Sequence, residues 1–213
     1  MNHGADTETR ILEAAHAVFV RRGTAGARMQ EIAAEAGVNQ ALLHYYFRTK
    51  AQLAQAVFAR AAGHLFRPVV DVLVSDLEIE DKVRRVIAIE LELLGRTPFL
   101  PAYFISEMNQ HPERVLQLVE SASGTEIATS IPRVTEVLGR QLRRAARAGT
   151  MRPVTAAQFL MDLLSLCIFP FAARPMLMAV LQEDAAGFER LLDRRKRELP
   201  SFFLDALRPS EAS

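Results

Sequence analysis

The spacing of the apolar residues constrains the fold of this chain more than any other feature. Apolar side chains recur every three or four positions almost throughout, which places them on one side of successive helices. Long alternations of apolar and polar residues, which indicate strands, are not found. An example is the stripe formed near the N-terminus by Ile11, Leu12, Ala15, Val18 and Phe19. The pattern predicts an all-α protein.

Glycine, proline and capping residues set the predicted ends of the helices. The first helix should run from about Thr7 to Gly23, and a longer helix should run from Lys50 toward Pro68, which is expected to kink or end it. Pro170 is expected to end a helix and Pro200 to interrupt the last one. The other predicted helices span 29–36, 40–47, 79–95, 98–110, 112–121, 126–148, 155–169, 173–182 and 184–207.

The charge, the cysteine content and the apolar stretches indicate the cellular compartment and the partners to expect. The 26 basic and 25 acidic residues give a formal charge of +1, so no overall field favours a polyanionic partner. The lone Cys167 lies in an apolar run and is expected to be a buried, inert thiol, as in a reducing cytosol. The N-terminal residues lack a signal-peptide pattern, and the charge-free apolar stretch at 163–173 is too short to cross a bilayer. We therefore expect a cytoplasmic protein without a membrane partner.

The usual sequence motifs of enzymes are missing. The sequence has no glycine-rich phosphate loop, no His-Glu-x-x-His motif and no cysteine pair. Glu107 and His111 are four residues apart on a predicted helix and could share a metal ion, but no third ligand accompanies them. The sequence therefore predicts a protein that is not an enzyme and has no cofactor.

The segment GVNQALLHYYFRTK, residues 37–50, follows the short predicted helix 29–36, contains the short predicted helix 40–47 and ends at the start of the next helix. Gly37 stands where a left-handed residue ends the first of them, and the side chain of Asn39 can cap the second. Such a tight connection makes two helices cross steeply, as in a helix-turn-helix.

A helical wheel divides residues 40–47 into two faces. One half holds Leu42, Leu43, Tyr46 and Phe47, and the other holds Gln40, Ala41, His44 and Tyr45. In a major groove Gln can bind adenine, His can bind guanine or phosphate, and Tyr can bind phosphate. Lys50 begins the next helix, whose free amides favour a phosphate. The segment is either such a DNA-contacting surface or an ordinary helix corner with a solvated face, and its spacing is compatible with both.

The N-terminal region resembles the TetR family of bacterial transcription regulators. The resemblance is carried, in register over about residues 7–60, by AVFVRRG at 17–23, EIAAEAGVN at 31–39, LLHYYF at 42–47 and KAQL at 50–53. It implies a three-helix DNA-binding domain over residues 1–66, with the third helix in the major groove. The DNA-contacting positions that it implies are Arg28, Gln30, Gln40, Ala41, His44, Tyr45, Tyr46 and Lys50.

Three residues depart from the family pattern. Arg28 stands where the family usually has a small hydroxyl residue that caps the second helix. We therefore expect that the helix loses this capping hydrogen bond and gains a cation that can bind phosphate. Leu42 stands at a position where small or polar residues are common, and it either faces a thymine methyl or packs inward. His44 replaces a tyrosine, which changes the bases that this helix can contact.

Residues 67–213 resemble the family's larger ligand-binding and dimerisation domain only in plan. Helices 155–169 and 184–199 are expected to pair with their symmetry mates in a homodimer, and two-fold symmetry then predicts a palindromic operator in double-stranded DNA. The apolar candidates for this interface could instead fill the core of one subunit. They are Phe159, Leu163, Leu166, Met178, Phe188, Leu191 and Leu192.

The middle helices are expected to enclose a site for an unknown small-molecule effector. Apolar and polar side chains are mixed there as in small-molecule sites, although each could also be an ordinary core residue. Glu90 falls on an apolar helix face, where it either pairs with an arginine or accepts a hydrogen bond from the effector. The candidate ligand residues are Glu90, Phe99, Tyr103, Phe104, Met108 and His111.

The function that the sequence predicts is that of a transcriptional repressor released from its operator by an effector. The alternative is a non-catalytic helical binding or interaction protein whose helix-turn-helix is vestigial.

Overall fold

The computed structural model describes residues 3–110 and 125–209, and these contain helices and no strand. The all-α prediction is therefore confirmed, while the helix predicted at 112–121 lies outside these residues. The helices are α1 (His3–Gly26), α2 (Met29–Glu35), α3 (Gln40–Tyr46), α4 (Lys50–Val74), α5 (Ile79–Arg96), α6 (Leu100–Gln110), α7 (Thr125–Arg147), α8 (Ala156–Ala172), α9 (Arg174–Leu181) and α10 (Ala185–Asp205).

The predicted end or interruption of a helix at three prolines was wrong, whereas the alternative of a kink at Pro68 stays a prediction. Pro68, Pro170 and Pro200 all lie inside helices that continue beyond them. A proline removes one backbone hydrogen bond and leaves a carbonyl four residues earlier without its partner. For Pro170 that carbonyl belongs to Leu166, and the Arg195 side chain on α10 donates to it through Nε at 3.2 Å and Nη2 at 2.8 Å. A distant arginine thus replaces the missing helical donor.

Two clusters of buried side chains form the interior. The first, which we call the N-terminal core, is built from residues 11–57 on α1, α2, α3 and the start of α4. The second, the C-terminal core, is built from residues 58–207 on the rest of α4 and on α5 to α10. Of the stripe predicted on α1, Ile11, Ala15, Val18 and Phe19 are buried. Its fifth member, Leu12, is only half-buried.

Helix α4 belongs to both cores. Its first half contributes Leu53, Ala54 and Val57 to the N-terminal core, and its second half contributes Phe58, Val69 and Leu73 to the C-terminal core. One continuous helix therefore joins the two clusters.

A buried lysine that the sequence did not single out links three helices. Lys82 on α5 is fully buried, and its Nζ donates to the Leu73 carbonyl on α4 and to Gln141 Oε1 on α7, each at 2.8 Å. The Gln141 amide in turn donates to the Leu77 carbonyl at 3.0 Å. Every polar group of this network has a partner, which makes the buried charge tolerable.

Helices α8 and α9 form the most apolar part of the chain. Cys167 on α8 is fully buried as a free thiol, which confirms its predicted burial. Within residues 3–110 and 125–209, no single helix has both the length and the apolar character needed to cross a membrane. Only α8 and α9 taken together pass that test, and they meet at an angle of 75°.

Candidate nucleic-acid interface

The turn between α2 and α3 has the geometry that its residues predict. Gly37 adopts φ 64°, its N–H donates to Ala34, and the N–H of Val38 donates to Ala33. This pair of bonds is the Schellman arrangement of a helix C-terminus. Asn39 then caps α3, since its Oδ1 accepts from the Leu42 N–H at 2.7 Å. The predicted turn and cap are confirmed, and they fix the direction of α3.

Helix α3 has a buried side and an exposed side. Leu43 and Phe47 are buried, and Tyr46 is half-buried against the N-terminal core. Leu42, which was placed on the inward half of the wheel with an outward role left open, is 37% exposed. The exposed side consists of Gln40, Ala41, Leu42, His44 and Tyr45. The helix is therefore held from one side and leaves five residues on the other.

His44 and Tyr45 present different chemistry on this exposed side. The Nδ1 of His44 lies 3.4 Å from the Arg48 carbonyl, and because a carbonyl only accepts, Nδ1 is the donor in this long bond. In a neutral ring whose Nδ1 is the donor, Nε2 can accept a hydrogen bond from the amino groups of adenine or cytosine. Tyr45 is 80% exposed, with its ring edge-on to Tyr46 at a centroid distance of 5.4 Å.

The start of α2 lacks a side-chain cap. Arg28 occupies the capping position in an extended conformation and makes no capping hydrogen bond, which confirms the loss expected from its side chain. Arg28 and Gln30 are both exposed. The free amides at this helix start carry partial positive charge, so Arg28 stands where an anion is favoured.

Lys50 has internal partners that the sequence did not indicate. Its Nζ donates to the carbonyls of Ala25 and Ala27 at 3.0 and 3.2 Å, in the connection between α1 and α2. The helix it begins is capped by Thr49, whose hydroxyl accepts from the Gln52 N–H at 3.1 Å. Lys50 therefore links the start of α4 to the residues that lead from α1 to α2. A phosphate bound by Lys50 would share its ammonium group with these two carbonyls.

Other basic side chains of this region differ in how they are engaged. Arg21 pairs with Glu35 at 2.8 Å and Arg22 with Glu31 at 3.4 Å, so both join α1 to α2. Arg48, between α3 and α4, is exposed. Arg48 was not among the predicted DNA contacts. The sequence signal that could have identified it is its position directly after Phe47, the last buried residue before the connection to α4.

The predicted effector residues lie in two different places. Phe99 and Tyr103 are half-buried between the two cores, where Phe99 packs edge-on against His16 at 5.5 Å and Tyr103 lies 5.1 Å from the Phe58 ring. Their contacts are those of packing residues at the junction of the cores, and a role in ligand binding stays a prediction. The side chains of Phe104 and Met108, as well as the whole of His111, lie outside what the structure describes.

Glu90 is buried among apolar side chains of the C-terminal core. It is 3% exposed, and its Oε2 has no hydrogen-bond partner. Burial raises the pKa of Glu90 to about 8, while a hydrogen bond with the Cys167 thiol acts in the opposite direction. Burial also raises the pKa of Cys167, so the thiol stays protonated. The arginine partner that we expected for Glu90 is not found among the described residues, which corrects that alternative.

Four of the predicted dimer residues belong to the core of the subunit itself. Phe159, Leu163, Phe188 and Leu192 are at most 6% exposed within one chain. Phe159 and Leu163 are fully buried and have no surface to offer to a second subunit, so their assignment to an interface was wrong. Phe188 and Leu192 also line the groove described next, and their role in an interface stays a prediction. Periodicity predicted that they are apolar, but it could not tell which neighbour covers them.

The surface of α8, α9 and α10 nevertheless carries an apolar groove of about 540 Å³. Its lining includes four predicted residues, of which Leu166 and Leu191 are half-buried and Phe188 and Leu192 are buried. It also includes three exposed side chains that the sequence analysis missed, namely Phe169, Leu181 and Phe202. Met178, the remaining predicted residue, is half-buried against the C-terminal core.

Across residues 3–110 and 125–209, no group of three or more His, Cys, Asp and Glu side chains is arranged to hold a metal ion. The exposed face of α3 offers hydrogen-bonding side chains and one small residue, which suit a groove of B-DNA.

Comparison with known proteins agrees with this geometry. Residues 11–57 match the family model described as bacterial regulatory proteins, tetR family. Over 54 residues the chain is 46% identical to the HTH-type transcriptional repressor SCO4008 of Streptomyces coelicolor, a match that covers 25% of this chain and 28% of that protein. Over 95 residues it is 32% identical to an uncharacterized HTH-type transcriptional regulator of Mycobacterium tuberculosis, covering 45% and 47%. The chain thus spans between about a quarter and half of the length of these relatives.

A solved structure extends the comparison to the whole fold. The TetR-family regulator PfmR from Thermus thermophilus superposes with a TM-score of 0.63 over 95% of this chain and 100% of that one, at 20% identity. At this identity the likeness shows the fold and not the ligand. Residues 11–57 are thus similar to the tetR family of bacterial regulatory proteins, and the described helices have the all-α fold of a solved TetR-family regulator.

Proposed function

We propose that this protein is a cytoplasmic transcriptional repressor that binds a palindromic DNA operator as a homodimer and is released by a small-molecule effector. Residues 1–66 form the DNA-binding domain, and residues 67–213 form the effector-binding and dimerisation domain. The proposal rests chiefly on α3, because Leu43 and Phe47 hold this helix while its opposite face is left to solvent. The division into domains is supported by the separation of the two cores near residue 57.

Each contact on the DNA has a distinct role in the proposal. Gln40, Ala41, His44 and Tyr45 on α3 face the bases in the major groove, with Tyr46 reaching a phosphate through its hydroxyl. Arg28 and Gln30 at the start of α2 contact the backbone, and Lys50 and Arg48 add positive charge beside it. Contacts to phosphate position the protein, and only those to base edges select the sequence.

The first experiment selects bound duplexes from a random pool and measures their affinity by fluorescence anisotropy at several salt concentrations. His44→Ala is expected to weaken specific binding by about 1–3 kcal/mol and to relax selection at one position of each half-site. Arg28→Ala is expected to weaken binding to all duplexes and to lower the salt slope by about 1, since one phosphate contact is lost. Arg143→Ala is the matched control, because Arg143 is exposed on α7, outside the matched region.

The outcomes separate the assignments. Unchanged affinity and selection in His44→Ala would remove α3 from the base-contacting role. If no duplex is enriched by the wild-type protein, the repressor proposal itself fails. The alternative of an interaction protein with a vestigial helix-turn-helix would then be preferred.

The homodimer is proposed to form through α8 and α10. One short helix contacts too few base pairs for useful specificity, whereas two copies related by a two-fold axis contact two half-sites one helical turn apart. The groove containing Leu166, Leu191 and Phe202 supplies the apolar surface, and Arg194 and Glu198 beside it supply charges at the rim. Exposed aromatic side chains such as Phe202, at 64%, are typical of surfaces that become covered.

Sedimentation equilibrium tests this interface. Phe202→Glu places a charge in the groove and is expected to weaken dimerisation by at least about tenfold, because burying an unpaired carboxylate is costly. Tyr45→Glu is the matched control, since Tyr45 is an exposed aromatic residue on α3. A dimer of unchanged affinity in Phe202→Glu would contradict the assignment.

Release by an effector is proposed to act through α4, which enters both cores. A ligand in the interior of the C-terminal core would contact Glu90, whose unpartnered Oε2 is the one polar atom that the described core offers without a partner. The resulting shift of α4 would change the separation of the two α3 helices in the dimer. Pro68, which lacks an N–H, removes one backbone hydrogen bond within α4 and gives the helix a place to bend.

A further inference from the structure

A cleft of about 550 Å³ lies where α1, α4 and α5 meet. This volume falls within the range of small-molecule sites. The wall from α1 belongs to the N-terminal core, and the wall from α5 belongs to the C-terminal core. None of its lining residues is among the effector candidates that the sequence predicted, so the cleft is a separate place in the fold.

One part of the cleft is apolar. Leu12 on α1, Val57 on α4 and Leu93 on α5 line it, and Leu12 and Leu93 are only half-buried. An apolar molecule placed here would therefore cover hydrocarbon surface from both cores. Burial of apolar surface favours binding but has no direction, so this part can hold an apolar body but cannot orient it.

The other part of the cleft is polar and richer in basic than in acidic groups. Two guanidinium groups, Arg60 and Arg96, line it together with the imidazoles of His16 and His64, against the single carboxylate of Glu13. His16 is half-buried, and burial followed by the charge of Arg60 lowers its pKa. Its neutral ring can therefore donate or accept a hydrogen bond at neutral pH.

Both guanidinium groups already touch a carboxylate, but weakly. Arg60 Nη2 lies 3.2 Å from Glu13 Oε1 across the cleft, and Arg96 pairs with Glu92 one turn earlier on α5. All four side chains are more than 40% exposed, and such pairs contribute little. A guanidinium carries five N–H donors, so each can bind a further carboxylate without losing the first.

We infer that this cleft is a binding site for a small amphipathic carboxylate. The apolar body lies between Leu12 and Leu93, the carboxylate accepts from Arg60 and Arg96, and the His16 ring completes the polar end. The ligand bridges α1 to α5 and so restrains one core relative to the other. This site does not depend on the proposed repressor function, because binding can be measured without DNA.

The test titrates the full-length protein with naphthalene-2-carboxylate and follows both the binding heat and the proton resonances of the histidine rings. Saturable binding should shift the signals of His16 and His64 and leave His44, on α3, unchanged. The neutral alcohol and the ammonium compound with the same ring system are expected to bind at least about threefold more weakly, since only the carboxylate gains charge-assisted hydrogen bonds.

Two substitutions in one salt bridge give opposite expectations. Arg60→Gln should weaken binding of naphthalene-2-carboxylate by about three- to tenfold, because a charge-assisted donor is lost. Glu13→Gln should strengthen it by about two- to threefold, because a negative charge that repels the bound carboxylate is removed. A purely structural role of this ion pair would instead move both variants in the same direction. Arg140→Gln is the matched control, since Arg140 pairs with Glu136 four residues earlier, as Arg96 does with Glu92.

Three results would overturn the inference. They are equal or tighter binding of the ammonium compound, a shift of both salt-bridge variants in the same direction, and perturbation of His44 in place of His16 and His64. If Arg60→Gln does not fold, as judged by circular dichroism, Glu13→Gln and the ligand series still decide the question.

Discussion

Replacement of Glu90 by glutamine should change how the stability of this protein depends on pH. The folded chain raises the pKa of this carboxyl group from its ordinary value of 4.5 to about 8, chiefly because the group is buried. Between these two pH values the unfolded chain releases a proton that the folded chain retains. The free energy of unfolding therefore falls as the pH rises, by about 1.4 kcal/mol for each pH unit.

The pKa difference also gives the size of the loss in the free energy of unfolding at neutral pH. From pH 4.5 to pH 7 the loss amounts to about 3 kcal/mol, which is a large part of the stability of an ordinary domain. Glu90→Gln keeps the size of the side chain and cannot ionise, so its free energy of unfolding lacks this slope. The variant is expected to gain stability relative to the wild type as the pH increases from 5 to about 8, and the difference should become constant above that.

Urea unfolding followed by circular dichroism at pH 5, 6, 7 and 8 measures this difference. The slope is the diagnostic quantity, because the new amide can add a constant cost of its own if it lacks a partner. Glu80→Gln is the control, since Glu80 is exposed on the same helix. Parallel curves for the wild type and Glu90→Gln across this range would refute the reasoning and would mean that Glu90 is solvated in the folded protein.

The remaining predictions concern the helix-turn-helix. Gly37→Ala should lower the free energy of unfolding by about 1–2 kcal/mol, because φ 64° is unfavourable for alanine although no atom lies within 4 Å of the added Cβ. Gly95 lies inside α5, and an added Cβ there also meets no atom within 4 Å. Gly95→Ala should therefore stabilise the protein by about 0.5–1 kcal/mol. Changes of the same sign in the thermal stability of the two variants would contradict both expectations. Lys50→Met should cost about 1–3 kcal/mol, since two carbonyls lose a charged donor. Lys196→Met, at an exposed position of α10, is the control, and equal urea midpoints for both would show that the Lys50 bonds do not stabilise the fold.

Some features of the site could be predicted from local sequence because their causes are local. The left-handed Gly37, the cap from Asn39 and the missing cap at Arg28 each depend on residues within one helical turn. The faces of α3 were largely predictable too, since a short helix leaves few ways to bury Leu43 and Phe47. Leu42 is the residue for which the wheel left the answer open, because it lies at the boundary between the two faces.

Other features depended on partners far along the chain. Pro170 looked like the end of a helix, and the donor that allows the helix to continue is Arg195, on another helix. Lys82 was not singled out by the sequence, and the side chain that gives it a buried partner, Gln141, lies 59 residues away. No pattern within either helix contains this information.

The sequence by itself determined the all-α class, the helix-turn-helix and, except for Leu42, the residues that α3 exposes, because hydrophobic periodicity and turn chemistry act over a few residues. The tertiary structure alone decided which apolar faces are buried against each other. It buried Phe159 and Leu163 within the subunit, left Phe202 outside, and brought His16 on α1 next to Phe99 at the junction of the two cores. The physical reason is that burial is a property of the packed neighbours, which a helix period of 3.6 residues does not specify.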